Sequence, residues 1–278
     1  GSGVCSRLKY FEFSSAAKRY AVGRPYIHSV VVDRIEQFTG ESRFRRGLDV
    51  ACGTGQSSNA LKQICDSITA TDISRPMLDQ APADDRITYL CCPAEQLALA
   101  SAAFDIVTVG LAFHWFDRDP FLQEANRVLD ADGWLIIYQN YFYGKMKGNP
   151  DFEAWMAGEY LKEYPVPPRD DSTFGEEQAA GFGFSFEGKQ NYASDVGFTI
   201  EELSNYLSTQ TNMIDAIESG RISTQKASKW LKGQLARLFV RERETLRFGG
   251  WIIYLRKEPA KHIHSVAAQS PRNPDQGD

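Results

Sequence analysis

The stretch Leu48-Asp49-Val50-Ala51-Cys52-Gly53-Thr54-Gly55-Gln56-Ser57-Ser58 decides the fold. An apolar strand runs into an acid, then a small-residue turn with two close glycines, then a helix start. Glycines let a backbone approach a ligand, and the N–H groups that open a helix face it. The combination reads as a nucleotide cradle. A second acid, Asp72, closes the next strand in Ile68-Thr69-Ala70-Thr71-Asp72-Ile73-Ser74. A carboxylate there is placed to accept hydrogen bonds from a ribose.

Outward from this pair, strands alternate with helices. Apolar runs predict strands at 46–52, 68–73, 87–92 and 104–112, and a fifth at Trp134–Tyr138. Leu61 and Ile64 share a face of the helix after the first turn, and Ser74 is a cap for a short helix through Pro76, Met77 and Leu78. Asp119 is the expected cap of a longer helix, with Pro120 in its first turn and Phe121, Leu122, Ala125, Val128 and Leu129 on one face. Upstream, Phe11 to Phe38 reads as one or two helices broken near Gly23-Arg24-Pro25. Most strands are almost wholly apolar, which implies a parallel sheet covered on both faces. The expected fold is doubly wound, Rossmann-like α/β.

After Asn140 the pattern changes. Residues 141–182 are aromatic and turn-rich, with Pro165, Pro167 and Pro168 against any helix there. A strand near Phe184–Tyr192, helical stretches around Ile200–Ser219 and Thr224–Val240, and a last strand at Leu246–Leu255 follow. The division is residues 1–140 as a ligand-binding core with N-terminal helices, 141–182 as an inserted cap, 183–257 completing the sheet, and 258–278 as a disordered tail.

The chain's 278 residues, 42% of them hydrophobic, suffice for one large core with an inserted subdomain. A net charge of −5 argues against non-specific nucleic-acid binding. The five cysteines are odd in number and lack a CxxC pair, and Cys91-Cys92 sit together in an apparent buried strand. Reduced thiols in a cytoplasmic setting are expected. No apolar run approaches the ~18 residues needed to span a membrane. Gly1-Ser2-Gly3 reads as a cloning scar, and His262-Ile263-His264 lies in the tail, so no metal site is expected.

The two strand-end segments resemble the S-adenosylmethionine (SAM) site of class I methyltransferases. The resemblance covers residues 10–140 well and the remainder loosely. It implies a seven-stranded sheet, mostly parallel, with a C-terminal antiparallel strand. It also implies SAM as cofactor, S-adenosylhomocysteine as product, and transfer of a methyl group to a small molecule. Asp49 stands where that family places an acid supporting the turn and the methionine ammonium. Gly53 and Gly55 match the glycines that make room for the cofactor, with Ala51 in place of the first glycine. Asp72 matches the ribose acid, with Ile73 beside the adenine, and Met77 and Leu111 fall at the cofactor as well. In Cys92-Pro93-Ala94-Glu95-Gln96-Leu97, which resembles the adenine-edge segment, Pro93 stands where many relatives carry Asp. A backbone amide near Ala94 is the substitute contact, with Glu95 beside it.

Two further segments resemble a small-molecule group that includes trans-aconitate methyltransferases. One is Ala112-Phe113-His114-Trp115-Phe116-Asp117, the other Tyr20-Ala21-Val22-Gly23-Arg24-Pro25. In that group the tyrosine and arginine close over the methionine end, and Arg24 suits a carboxylate as a bidentate partner. His114 is the candidate general base, since imidazole titrates near neutrality. Equally, His114 and Trp115 wall the methionine end. The aromatic residues Tyr138, Tyr141, Phe142, Tyr143, Phe152, Trp155, Tyr160, Tyr164, Phe174 and Phe182 either line a cap over an aromatic, apolar or carboxylic acceptor or form the insertion's own core.

The leading function is methyl transfer to a small molecule, with oxygen favoured as acceptor. A SAM-binding protein without transfer, regulatory or recruited to another reaction, is the alternative. A nicotinamide oxidoreductase is more distant, because Ser58 stands where G-x-G-x-x-G needs its last glycine. Walker A, HExxH and GxSxG sequences are absent, as is the Asp/Asn-Pro-Pro-Tyr/Phe motif of nucleic-acid amino methylation.

Overall fold

The computed structural model describes residues 14–168 and 172–259. Cys5, the first three residues and the histidines of the tail lie outside them. The described residues open with two helices, α1 (Ser14–Gly23) and α2 (His28–Thr39), with the break at Arg24–Ile27. The core then runs β1 (Phe44–Val50), α3 (Gln56–Leu61), β2 (Cys65–Asp72), α4 (Arg75–Leu78), β3 (Ile87–Cys91), β4 (Phe104–Gly110), α5 (Arg118–Val128) and β5 (Leu129–Met146). Next come α6 (Pro150–Trp155), a π-helical turn (Met156–Tyr160), α7 (Leu161–Glu163) and α8 (Glu176–Gly181). The chain closes with β6 (Phe184–Ala193), β7 (Val196–Phe198), α9 (Ile200–Leu207), α10 (Thr211–Glu218), α11 (Thr224–Ala236) and β8 (Glu244–Lys257).

The strand order is β3-β2-β1-β4-β5-β8-β6, with β7 paired only to β8. Strands β1 to β5 are parallel to one another, and β8 is antiparallel to β5, β6 and β7. The seven strands on the main path follow the expected plan. Three-residue β7 is an addition, too short to carry a periodicity.

Side chains alternate across the sheet and feed two separate cores. From β5, Leu135 and Ile137 pack with α5 and the Ala16–Ala17 face of α1. Trp134, Ile136 and Tyr138 pack on the other face with Val31, Val32 and Ile35 of α2. A third core joins Phe152, Trp155, Tyr160 and Tyr164 of the insertion to Leu203, Leu207, Leu231 and Phe248.

Several local expectations are corrected. The helix after the first turn stops at Leu61, and Ile64 follows it in a turn. β4 ends at Gly110 rather than residue 112, because Leu111 adopts a left-handed φ of 59°. The fifth strand is far longer than Trp134–Tyr138, since β8 pairs with it as far as Met146. Asp117, not Asp119, is the N-cap of α5, and Asp119 lies in the first turn. Cys91 is exposed and Cys92 half-buried, because β3 is the sheet's edge strand. The helical stretch around 200–219 is two helices, parted where the Ser208 and Thr209 hydroxyls turn back on Ser204 O and Tyr206 O. Ser74 does cap α4, accepting from Met77 N at 3.3 Å.

The register of β5 on β8 leaves no room at Gly250: a Cβ there would sit 1.8 Å from Gln139 O. Gly250→Ala is therefore expected to destabilise the protein by about 3 kcal/mol, measured by urea unfolding against the parent.

Candidate active site

A cavity of about 680 Å³ is lined by residues from the turn after β1, the loop after β4 and the cap. It lies at the carboxyl ends of the parallel strands, where open α/β sheets bind ligands. Tyr20, Arg24, Ala51, Gly53, Met77, Leu111, His114 and Trp115 all line it. A small recess shares Ala51 and Trp115 with it and adds Asp72, Ile73, Ala94 and Glu95. Of the residues expected at a cofactor, Asp49 and Gly55 line neither.

Asp49 lies beneath the turn, fully buried. Its carboxylate accepts from Ser57 Oγ at 2.5 Å, Ser58 Oγ at 2.6 Å and Thr108 Oγ1 at 3.1 Å. Burial nevertheless pushes its pKa up to about 6, against the pull of those three bonds and with a contribution from Asp72. Gly55 is the N-cap of α3 at φ 85°, packed so that a Cβ would meet Tyr89 Oη at 2.7 Å.

Asp72 ties two loops together. Its Oδ2 accepts from Gly53 N at 2.9 Å and its Oδ1 from Ser74 N at 2.8 Å. The turn after β1 is thus clamped to the turn after β2. Ala51 and Leu111, each directly after a strand, both have φ of 59°. A side chain in that region costs about 1–2 kcal/mol, a strain typical of binding sites.

Arg24 enters from the break between α1 and α2. Its guanidinium lies 4.8 Å from the Tyr20 ring centre and 5.4 Å from that of Tyr206. Nη2 donates to Thr209 O at 3.1 Å, while the buried Nε has no partner. An arginine fixed on aromatic faces with a donor to spare is suited to a carboxylate.

His114 stands in a 3-10 turn, Phe113–Trp115, its ring 4.7 Å from that of Trp115. Its Nδ1 is 3.0 Å from Gln139 Nε2. An amide nitrogen can only donate, so Nδ1 accepts and the neutral ring carries its proton on Nε2.

The insertion serves two faces. Phe142, Met156 and Phe174 line the cavity, whereas Phe152, Trp155, Tyr160 and Tyr164 are buried in the third core. Tyr141 and Tyr143 are exposed in part at the cavity. Phe182 packs against the first core, and Tyr138 is buried under the sheet end. Sequence reasoning missed His28, Gln139, Tyr206 and Gln210, which also line the cavity. For Tyr206 and Gln210 no local signal exists, because α9 and the loop after it arrive through packing in the third core. Among the described residues no group of acidic, His or Cys side chains could hold a metal ion.

Residues 48–137 match the model of a methyltransferase domain family. The chain is 29% identical over 148 residues to a provisionally assigned methyltransferase of Dictyostelium discoideum, covering 53% of this chain and 55% of that protein. It is 35% identical over 121 residues to a malonyl-[acyl-carrier protein] O-methyltransferase of Pseudescherichia vulneris, covering 42% of this chain and 47% of that one. Residues 48–137 carry a methyltransferase domain.

The chain spans about half the length of these relatives. Among solved structures, a provisionally described type II methyltransferase of Anaeromyxobacter dehalogenans shares the fold with a TM-score of 0.65 at 20% identity. That likeness covers 84% of this chain and 97% of the other. A Haemonchus contortus phosphoethanolamine N-methyltransferase, solved with S-adenosylhomocysteine, matches at TM-score 0.51 and 18% identity, covering 92% of this chain and 59% of that one.

The raised Asp49 pKa carries a testable sign. The folded state keeps a proton that the unfolded chain, titrating near ~4, has released. This contribution is present at low pH and declines as pH rises from ~4 towards 6. Asp49→Asn mimics the protonated form. Its melting temperature relative to the parent is expected to rise between pH 4 and pH 6 and to level off above.

Proposed function

We propose that this protein transfers the methyl group of SAM to an oxygen of a small molecule by in-line displacement. One observation carries the reading. A single cavity is lined both by the cradle residues Ala51, Gly53 and Met77 and by the cap residues Phe142, Met156 and Phe174. At about 680 Å³ it lies within the range of small-molecule sites.

The residues present fit the cofactor. Gly53 N and the Asp72 carboxylate form a ribose-side edge beside the Ile73 and Ala94 recess. The unpaired Nε of Arg24 faces the opposite need, a carboxylate at the methionine end. When bound, the cofactor supplies a methyl already activated on a sulfonium. What the chain supplies is position and dryness: a nucleophile held at near-attack distance behind the methyl, with water excluded. His114 fits this as a wall and an Nε2–H donor rather than as a base, because Gln139 occupies its Nδ1 lone pair.

The acceptor side is apolar and aromatic from Phe142, Phe174 and Phe248, with Lys189 over the Trp251 ring at 5.1 Å. An aromatic or apolar acceptor bearing an acid suits those walls. No helix among the described residues is long and apolar enough to cross a membrane. The four described cysteines are free, which supports a cytoplasmic location.

The test is twofold. Isothermal calorimetry should detect S-adenosylhomocysteine binding, weakened by about tenfold to a hundredfold in Arg24→Ala. Incubation with methyl-labelled SAM and metabolite extracts should yield a labelled small molecule. Binding without any labelled product would leave a cofactor-binding protein that no longer transfers, and absence of binding would overturn the assignment.

A further inference from the structure

Successive residues on β5 face opposite sides of the sheet, and two of them each address a histidine. Gln139 meets His114 on one side, and Tyr138 meets His28 on the other. His28 is the first residue of α2; its ring is almost fully buried yet lines the cavity. Nδ1 lies 2.8 Å from Tyr138 Oη. Tyr26 packs edge-on against the same ring, with centres 6.0 Å apart.

The direction of that hydrogen bond follows from satisfaction. Among the described residues, His28 Nδ1 is the hydrogen-bond partner of the buried Tyr138 hydroxyl, and burial drives the phenol's pKa far above its ordinary value, so it keeps its proton. The phenolic proton needs an acceptor and Nδ1 is at hand, so Tyr138 donates. Nδ1 is then a lone pair already used. The neutral ring carries its proton on Nε2, the nitrogen left for the cavity. Burial also lowers the His28 pKa to about 4, so the ring stays neutral at physiological pH.

Location assigns this donor to the acceptor rather than to the cofactor. The cradle lies over β1 and β2, with the adenine recess towards β3. His28 and Tyr138 lie on the far side, at the end of β4 and β5, where Leu111 N donates to Tyr138 O at 3.0 Å. A ligand running from the recess across the β1 turn brings its reactive end to this point.

We propose that the Nε2–H of His28, held in that tautomer by Tyr138, donates a hydrogen bond to an oxygen of the methyl acceptor and selects against amines. This rests on the methyl-transfer reading above. An ammonium group has donors only, so it meets an uncharged N–H with no lone pair to offer. An acid's non-reacting oxygen accepts from Nε2–H and so aims its other oxygen at the methyl. That oxygen's electron pair forms the new C–O bond while the S–C bond breaks onto sulfur. The sulfonium becomes a thioether, the carboxylate an ester, and no proton moves. His28 therefore contacts the acceptor, and Tyr138 is a positioning residue.

The experiment uses the full chain saturated with S-adenosylhomocysteine and two probes of equal bulk, phenylacetate and phenethylamine, in calorimetry. Phenylacetate is expected to bind and phenethylamine to bind at least about tenfold more weakly. His28→Leu should cost phenylacetate about tenfold or more, leaving S-adenosylhomocysteine affinity unchanged. His28→Gln, which keeps an N–H at similar reach, should restore most of the loss. In Tyr138→Phe the loss should be intermediate, and ¹⁵N spectra of the histidine ring should change from one tautomer to a mixture.

Unchanged phenylacetate affinity in His28→Leu, or equal behaviour of the two probes with the parent (no uptake of either included), overturns the role of His28. So does a parent spectrum showing the proton on Nδ1, which decides the matter even where His28→Leu fails to fold. Failure to bind S-adenosylhomocysteine at all overturns the methyl-transfer reading instead.

Discussion

Asp49 is sealed under the first turn and takes hydrogen bonds from Ser57, Ser58 and Thr108, so one carboxylate joins β1, α3 and β4. A buried charge is costly unless its oxygens are satisfied. Here three hydroxyls converge on it, which fixes where α3 leaves the turn and how β4 sits beside β1. Asp72 extends the same device one strand over by holding Gly53 N and Ser74 N. The cradle is therefore rigid before any ligand arrives. Its geometry is set by two carboxylates whose oxygens are engaged with the protein itself.

The strained backbone follows from that rigidity. Ala51 and Leu111 adopt the left-handed conformation directly after β1 and β4, and both line the cavity. Neither is glycine, so each holds about 1–2 kcal/mol that the surrounding hydrogen bonds must sustain. For Leu111 one such bond is visible, from its own N–H to Tyr138 O. β5 thus does three things in succession: Tyr138 anchors Leu111 and orients His28, and Gln139 orients His114.

The alternating core was legible in the sequence because apolar runs and small-residue turns are local signals. Leu48 to Val50, Ile68 to Asp72 and Phe104 to Gly110 announce parallel strands, and the acids closing two of them announce the cradle. What was not legible was long-range. The extension of β5 to Met146 depends on its pairing with β8, a hundred or more residues later. The exposure of Cys91 and half-burial of Cys92 follow from the edge position of β3, which cannot be read from an apolar run. His28 gave no motif, since its role depends on a tyrosine from β5 that only folding brings to it.

The aromatic insertion resolves along the same line. Composition alone does not separate a lining from a small core, and in the structure the insertion's residues divide between the cavity and a third core. Phe152, Trp155, Tyr160 and Tyr164 turn towards Leu203, Leu207 and Leu231, building a third core independent of the two under the sheet. That core holds the π-helical turn at Met156–Tyr160 against α9 and α11, so Met156 and Ala157 reach the cavity from a supported wall. Because α9 also supplies Tyr206, which stacks on Arg24, the packing that shapes the proposed acceptor wall also positions the arginine at the proposed methionine end. Changes that repack the cap will therefore move both ends of the reaction together, whereas the cradle, fixed by its own carboxylates, will not follow.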